Sequence, residues 1–339
     1  MIRSLLFRGL LMALFLAGPC AAEETVIPPT ASVPTPDPAA ALSPTSPVPP
    51  TEVAVGIYLN QIADVDLRQG TYEVDFWLWF RWRSKLEQSP LETFELVGGT
   101  IQTKDNIGTK TVDGVNYANA RIHAQMRKAF DVSRFPFDTH LLPIVIEESQ
   151  TESPQFTYVA DIANCGTSEQ VALPGWLIRD GTKAITVQSY HTTFGDPESS
   201  PTGSNYSRFT VESQISRPGL IFAGKLFWSL LIAAIIAWLV YLIPQNELDA
   251  RIALGSGALF AAIATGYIIA ASLPEAGQVV LADWVSALCI FFIFVSLVET
   301  WWVHRLYSQD NIQAATRIDH LFAWVTPIVY LVANAYVLI

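Results

Sequence analysis

Hydrophobic and polar positions divide this chain near residue 217. Beyond that point four apolar windows, 220–243, 248–273, 284–303 and 318–339, each reach the length a helix needs to cross a hydrocarbon core, which is about 20 residues for about 30 Å. Before it, short runs rich in β-branched and aromatic residues at 53–62, 71–82, 120–130, 140–146, 155–160, 176–194 and 206–215 are separated by clusters of Gly, Pro, Asn and Asp. No long stretch of this region shows a helical period, so it reads as several strands around one core. The pattern predicts an all-β, immunoglobulin-like sandwich followed by a four-helix transmembrane bundle. The second apolar window differs from its neighbours, being rich in Ala and Gly with Glu247, Asp249 and Arg251 at one end.

The amino terminus adds two further segments. Residues 1–22 carry Arg3 and Arg8, an apolar run and then small residues, the parts of a secretory signal peptide. Residues 23–51 are mostly Pro, Ala, Thr and Ser, a composition too poor in apolar surface to offset the entropy of ordering, and read as a disordered linker. The expected division is therefore signal peptide 1–22, linker 23–51, external sandwich 52–217 and membrane-spanning helices 218–339. Export places the sandwich outside the cytoplasm, and an even number of spans returns the carboxyl terminus to the same side. Arg251, Arg305 and Arg317 then fall on the cytoplasmic side, as the positive-inside bias requires. The expected location is the inner (plasma) membrane, as a multi-pass protein in a lipid bilayer.

Composition narrows the chemistry. With 51% hydrophobic and only 15% charged residues the chain is too apolar for an ordinary soluble protein, and its net charge of -11 argues against a nucleic-acid partner. After signal removal only Cys165 and Cys289 remain, one in the sandwich and one in the third apolar window, so no intrachain disulfide is expected. The five histidines lack metal-ligand spacing, and no HExxH, phosphate loop or nucleophile elbow is present. No metal, cofactor or enzymatic activity is expected.

Several motifs resemble one family. Asp131-Val132-Ser133-Arg134-Phe135-Pro136-Phe137-Asp138 is similar to the centre of the signature loop of the pentameric ligand-gated ion channels (Cys-loop receptor superfamily). Lys128 and Leu142 occupy the positions where animal members carry the bracketing cysteines, as in the prokaryotic type. Ser272-Leu273-Pro274 with Asp283 and Glu299, and Arg217-Pro218 at the entry to the first helix, match in the same order. The resemblance spans residues 53–339 and implies a homopentamer opened by a small-molecule or ionic agonist bound between sandwiches.

On that resemblance, Trp77, Trp79, Glu147, Tyr190 and Tyr206 are the candidate ligand residues, with Glu148 beside Glu147 and residues 195–204 matching the flap that closes over agonist. Aromatic rings can hold an organic cation; core packing is the alternative for the tryptophans, and a solvated strand end for Glu147 and Glu148. The tryptophan-proline signature of a further ligand loop is missing between residues 83 and 130, and Gly70 and Ala262 stand at the positions linked to proton sensing in bacterial members, which leaves the agonist open.

Setting Pro274 at the family's proline places Asp249, Ala253, Gly257, Phe260, Ala264, Tyr267 and Ala271 on the pore-lining face, with Phe260 and Tyr267 as gate residues. Rings of Asp249 and Glu247 carboxylates at the cytoplasmic mouth imply permeant cations, with Arg251 snorkelling to the headgroups; Arg251 facing the lumen would favour anions instead. Asp66, Asp131, Phe135, Pro136, Phe137, Asp138, Arg217 and Pro274 are the expected coupling residues. In that arrangement Arg217 pairs with Asp138 and Asp66, and Phe135 and Phe137 pack on the loop 274–278. A ligand-gated channel and a non-conducting pentameric sensor remain as the two function classes.

Overall fold

A computed structural model of the chain describes residues 50–192, 194–195, 203–274 and 279–338. The expected signal peptide and nearly all of the expected linker lie outside the described residues. Among the described residues, ten strands form two sheets. The first has the order β4-β5-β2-β1-β7, built from β1 (Thr51–Asp66), β2 (Thr71–Trp82), β4 (Gly99–Val112), β5 (Val115–Arg127) and β7 (Phe156–Ala160), with the short β8 (Gly166–Thr167) also paired to β1. The second has the order β3-β6-β10-β9, from β3 (Phe94–Leu96), β6 (Thr139–Glu148), β9 (Leu177–Tyr190) and β10 (Ser204–Ser216). A single-turn helix α1 (Pro90–Thr93), capped by the Ser89 hydroxyl on Leu91 N, leads into β3.

The two-residue period of a strand explains why these segments pack as they do. Along β2, Tyr72, Val74, Phe76, Leu78 and Phe80 are buried while Glu73, Asp75, Trp77, Trp79 and Arg81 point to the other face. Ala118, Ala120, Ile122 and Ala124 of β5 are buried on the same side as these β2 residues, and Leu142, Ile144, Ile146, Phe209 and Ile215 fill the core from the second sheet. Phe80 joins the layers, its ring 5.9 Å from Tyr158 and 6.0 Å from Phe94. The predicted strands all recur, 71–82 with the same bounds and the others with shifted ends; the short β3 and β8 were not foreseen, nor was the long β4. Its side chains are almost all exposed or half-buried, so it carries no apolar alternation. Asp113 and Gly114, with φ of 50° and 73°, form the two-residue turn that joins it to β5.

Four helices follow: α2 (Gly219–Leu239), extended by a 3-10 turn at Val240–Leu242, α3 (Leu248–Ala271), α4 (Leu281–Ser308) and α5 (Ile312–Leu338). Each is long and apolar enough to cross a membrane. α4 buries the most, including Cys289, Phe292, Ile293 and Glu299, and sits amid the other three. α3 approaches α4 closely at Gly255, where a Cβ would lie 2.5 Å from the Leu297 side chain. Polar pairs knit the helices where water is lacking: Thr265 with Ser229 at 3.0 Å, Tyr241 with Ser296 at 3.0 Å, and Trp238 Nε1 donating to the Ala323 carbonyl at 3.0 Å.

Candidate functional site

α3 buries one narrow face against its own protomer and exposes most of the rest, Ile252, Ile263 and Ile268 included. Arg251, Gly255, Ala258, Ala262 and Ile269 recur at helical spacing and are buried against the protomer's own bundle. Asp249, Ala253, Gly257, Phe260, Ala264, Tyr267 and Ala271 are all exposed, turned away from those packing residues. Phe260 is 79% and Tyr267 77% exposed, so neither aromatic serves the core of its own subunit. At the foot of the helix Glu247 is the N-cap residue and, like Asp249, is open to the surroundings.

Arg251 does not snorkel outward. It is 1% exposed, and its guanidinium donates to both carboxylate oxygens of Asp319 on α5 at 2.9 Å and to the Ile243 carbonyl. The planar fork matches a carboxylate bidentately, which favours an internal pair over a solvated head. Gln245 donates to the same Asp319 at 3.1 Å, so the α2–α3 loop is tied into the pair. Asp319 carried no signal in the sequence.

A second cluster lies where the sandwich meets the helices. Arg217, one residue past β10, donates from Nε to Asp138 Oδ1 at 2.9 Å, and His140 Nε2 lies 2.7 Å from the other Asp138 oxygen. Three rings surround the guanidinium, Trp176 at 4.2 Å, Phe222 at 4.4 Å and Phe135 at 4.9 Å. Burial opposes ionisation of Asp138, but the His140 hydrogen bond and the Arg217 charge outweigh it and hold the carboxyl below its ordinary value. The expected Asp66 partnership takes another form: the Asp66 carboxylate accepts from the backbone of Arg68 and Gln69, closing its own turn. Asp66 and Arg217 still line a common cavity of about 430 Å³ with Trp176 and Ser272.

Asp131 likewise accepts from Ser133 N at 3.0 Å and shapes the signature loop. The Ser133 carbonyl accepts from Leu281 N at the start of α4. Phe135 stacks edge-on with Phe222 of α2 at 6.0 Å. Pro136 is buried and Phe137 half-buried; Pro274 is half-buried, and residues 275–278 lie outside the described residues.

Within the sandwich, three of the five ligand candidates meet. Tyr190 donates from its hydroxyl to Glu147 Oε1 at 2.8 Å and its ring lies 6.0 Å from Tyr206. Arg208, not anticipated, bonds Glu147 at 2.7 Å and the Tyr190 hydroxyl at 3.0 Å. Residues 196–202 of the expected flap lie outside the described residues. Trp77 and Trp79 stand apart from this cluster, on the outward face of the first sheet. With Tyr58, Tyr117, Asn119 and Asn164 they line a groove of about 390 Å³, and Trp79 Nε1 donates to Asp161 at 3.1 Å.

Glu147 and Glu148 are buried, not a solvated strand end. Glu148 is 1% exposed and accepts from the Thr93 hydroxyl at 2.8 Å and from Gln150 N at 3.0 Å. Burial pushes its carboxyl above the usual range despite these bonds. The folded chain therefore holds this proton more tightly than the unfolded chain, and stability falls as pH rises from the ordinary carboxylate value through the raised one. Glu148→Gln is expected to raise the melting temperature at neutral pH by about 2–4 °C and to flatten its dependence on pH over that window. Thermal scans across mildly acidic to neutral buffers would expose an unchanged slope, which contradicts the assignment.

No family model matches the chain. It is 21% identical over 308 residues to the "Proton-gated ion channel" of Gloeobacter violaceus, covering 84% of this chain and 82% of that protein. It is 21% identical over 272 residues to the "Gamma-aminobutyric acid receptor subunit alpha-2" of Mus musculus, covering 74% of this chain and 59% of the receptor subunit. A similar match, 21% over 273 residues, is made to the "Gamma-aminobutyric acid receptor subunit gamma-4" of Gallus gallus, with 74% and 58% covered. The chain thus spans somewhat under two thirds of the length of these receptor subunits.

Proposed function

We propose that this chain, a relative of the pentameric ligand-gated ion channels, is itself a homopentameric, cation-selective channel of the inner (plasma) membrane. The observation that carries the reading is the exposed stripe of α3 from Asp249 to Ala271, which has no packing role in its own subunit. Small residues, two large aromatics and a terminal carboxylate on one unpartnered helix face are what five copies need around a shared axis. Placed in a ring, Asp249 and Glu247 concentrate cations at the mouth, and Arg251 is withdrawn from it by Asp319. The sandwich then lies on the periplasmic or extracellular side, with residues 1–22 as the signal that exports it and the residues ahead of β1, 23–50, as its tether; Thr51, expected in the linker, belongs to β1.

The agonist site is assigned to the contact between neighbouring sandwiches. One subunit offers Glu147, Tyr190 and Tyr206, and the next offers the Trp77 and Trp79 groove. These lie on different sheets of one protomer, which supports a site shared with a neighbour. Rings and carboxylates of this kind suit a cationic small molecule or ion.

Purified protein in a planar bilayer under a salt gradient tests the reading, with acidic buffer and simple amines as probes. A reversal potential near that of the cation is expected. Asp249→Asn is expected to cut cation conductance by roughly half and move the reversal potential towards zero. Silence under every probe, from protein that assembles normally, would favour the non-conducting sensor; an anion reversal potential would overturn the selectivity.

A further inference from the structure

Glu299 of α4 is 1% exposed, and neither of its carboxylate oxygens has a hydrogen-bond partner. Its charged neighbours are Asp319 of α5 and Arg251 of α3. The 3-10 turn after α2 brings Tyr241, bonded to Ser296 of α4, and His304 of α4 itself meets the Gln245 carbonyl through Nδ1 at 3.2 Å. Arg251 is fully engaged by Asp319, and a second buried carboxylate, Glu299, lies beside that pair without a hydrogen bond to the guanidinium. A buried carboxylate with no partner is a high-cost feature unless some state of the protein supplies one. We propose that Asp319 and Glu299 are alternative seats for Arg251, and that passing the guanidinium from α5 to α4 resets the foot of α3.

The geometry supports this at both ends. Arg251 is only two residues from Asp249, so changing its seat moves the end of the helix that carries the exposed carboxylates. The Ile243 carbonyl, which also holds the guanidinium, belongs to the α2–α3 loop rather than to either acid, so it can stay engaged during the exchange. Asp319 and Glu299 then act as positioning residues for α3. The exchange stands without the channel reading; only its consequence for permeation rests on that reading.

A double-substitution cycle read by thermal melting of the detergent-purified full chain tests it. Asp319→Asn alone is expected to lower the melting temperature by about 3 °C, because Glu299 takes over the guanidinium, and Glu299→Gln alone by under about 2 °C. The pair together should lose about 8 °C or more, or yield no folded protein while both singles fold. In an Arg251→Met background the two effects should simply add. Additive losses with Arg251 present overturn the proposal, as does an Asp319→Asn loss equal to that of the double variant.

Bilayer recording in acidic buffer supplies the second readout. Asp319→Asn and Glu299→Gln should shift open probability in opposite directions, by about threefold each; shifts of the same sign, or none in a conducting protein, overturn it. If the unaltered chain carries no current, the channel reading falls while the melting cycle still decides the exchange.

Discussion

Replacing Arg217 with alanine is expected to cost the folded chain roughly 3–5 kcal/mol and to abolish any transmission from sandwich to helices. The reason lies in what the substitution leaves behind. Asp138 is buried, and its carboxylate would lose the guanidinium and keep His140 and a backbone N–H. Trp176, Phe222 and Phe135 would lose the cation at their centre, an attraction of about 0.5–2 kcal/mol each that is not additive with the ion pair. Because Arg217 directly follows β10 and precedes Pro218 and α2, these groups belong to both halves of the molecule. Arg217→Lys keeps the charge but not the planar fork, and should fall between wild type and alanine.

Acid gives an independent check on the same cluster. The Asp138 carboxyl lies below its ordinary value in the fold, so its contribution is full above that ordinary value and is lost as pH falls through the depressed one. Mild acid should leave the cluster intact. Thermal melting and the yield of assembled oligomer measure the loss, and an alanine variant that melts and conducts like the parent would remove Arg217 from the coupling role.

The second large effect is expected at Phe260 and Tyr267. Substituting either with alanine should raise the current in the absence of any agonist by tenfold or more, equivalent to about 1.4 kcal/mol in favour of the conducting state. Five aromatic rings at one level exclude water and force an ion to shed hydration, so a constriction of this kind closes a pore without plugging it. At 79% and 77% exposure neither side chain packs its own subunit's core, so protomer stability should change little. That separates the gate from ordinary packing: an alanine variant that loses assembly without gaining resting current would mark these rings as subunit contacts instead.

Helix positions were legible from apolar run length alone, since a bilayer-spanning helix must satisfy its backbone internally over a set distance. The four windows recur as α2 to α5 with ends shifted by up to six residues, the largest shift being at the start of α5. Strand β2 was legible for a similar reason, because one face must be apolar and the other need not be. β4 was not, since it lies at the sheet edge with no fully buried side chain and only Ile101 packed against the core. The exposed stripe of α3 followed from helical phase once Pro274 set the register.

Charge partners could not be read in this way. Arg251 and Asp319 are 68 residues apart, and nothing near either residue marks the other. Arg208 reaches Glu147 across 61 residues, and Arg217 reaches Asp138 across 79, a pair foreseen only through the family resemblance and not from periodicity. Periodicity along the chain determined which segments are strands or helices and which side of each avoids water, because those choices are made by neighbouring residues. Tertiary packing alone decided that Arg251 turns inward to Asp319, that Asp66 closes its own turn, and that Glu299 is left bare. Coulombic and hydrogen-bond energies depend on separations of a few ångströms and on the local dielectric, and both come into being only when distant elements meet.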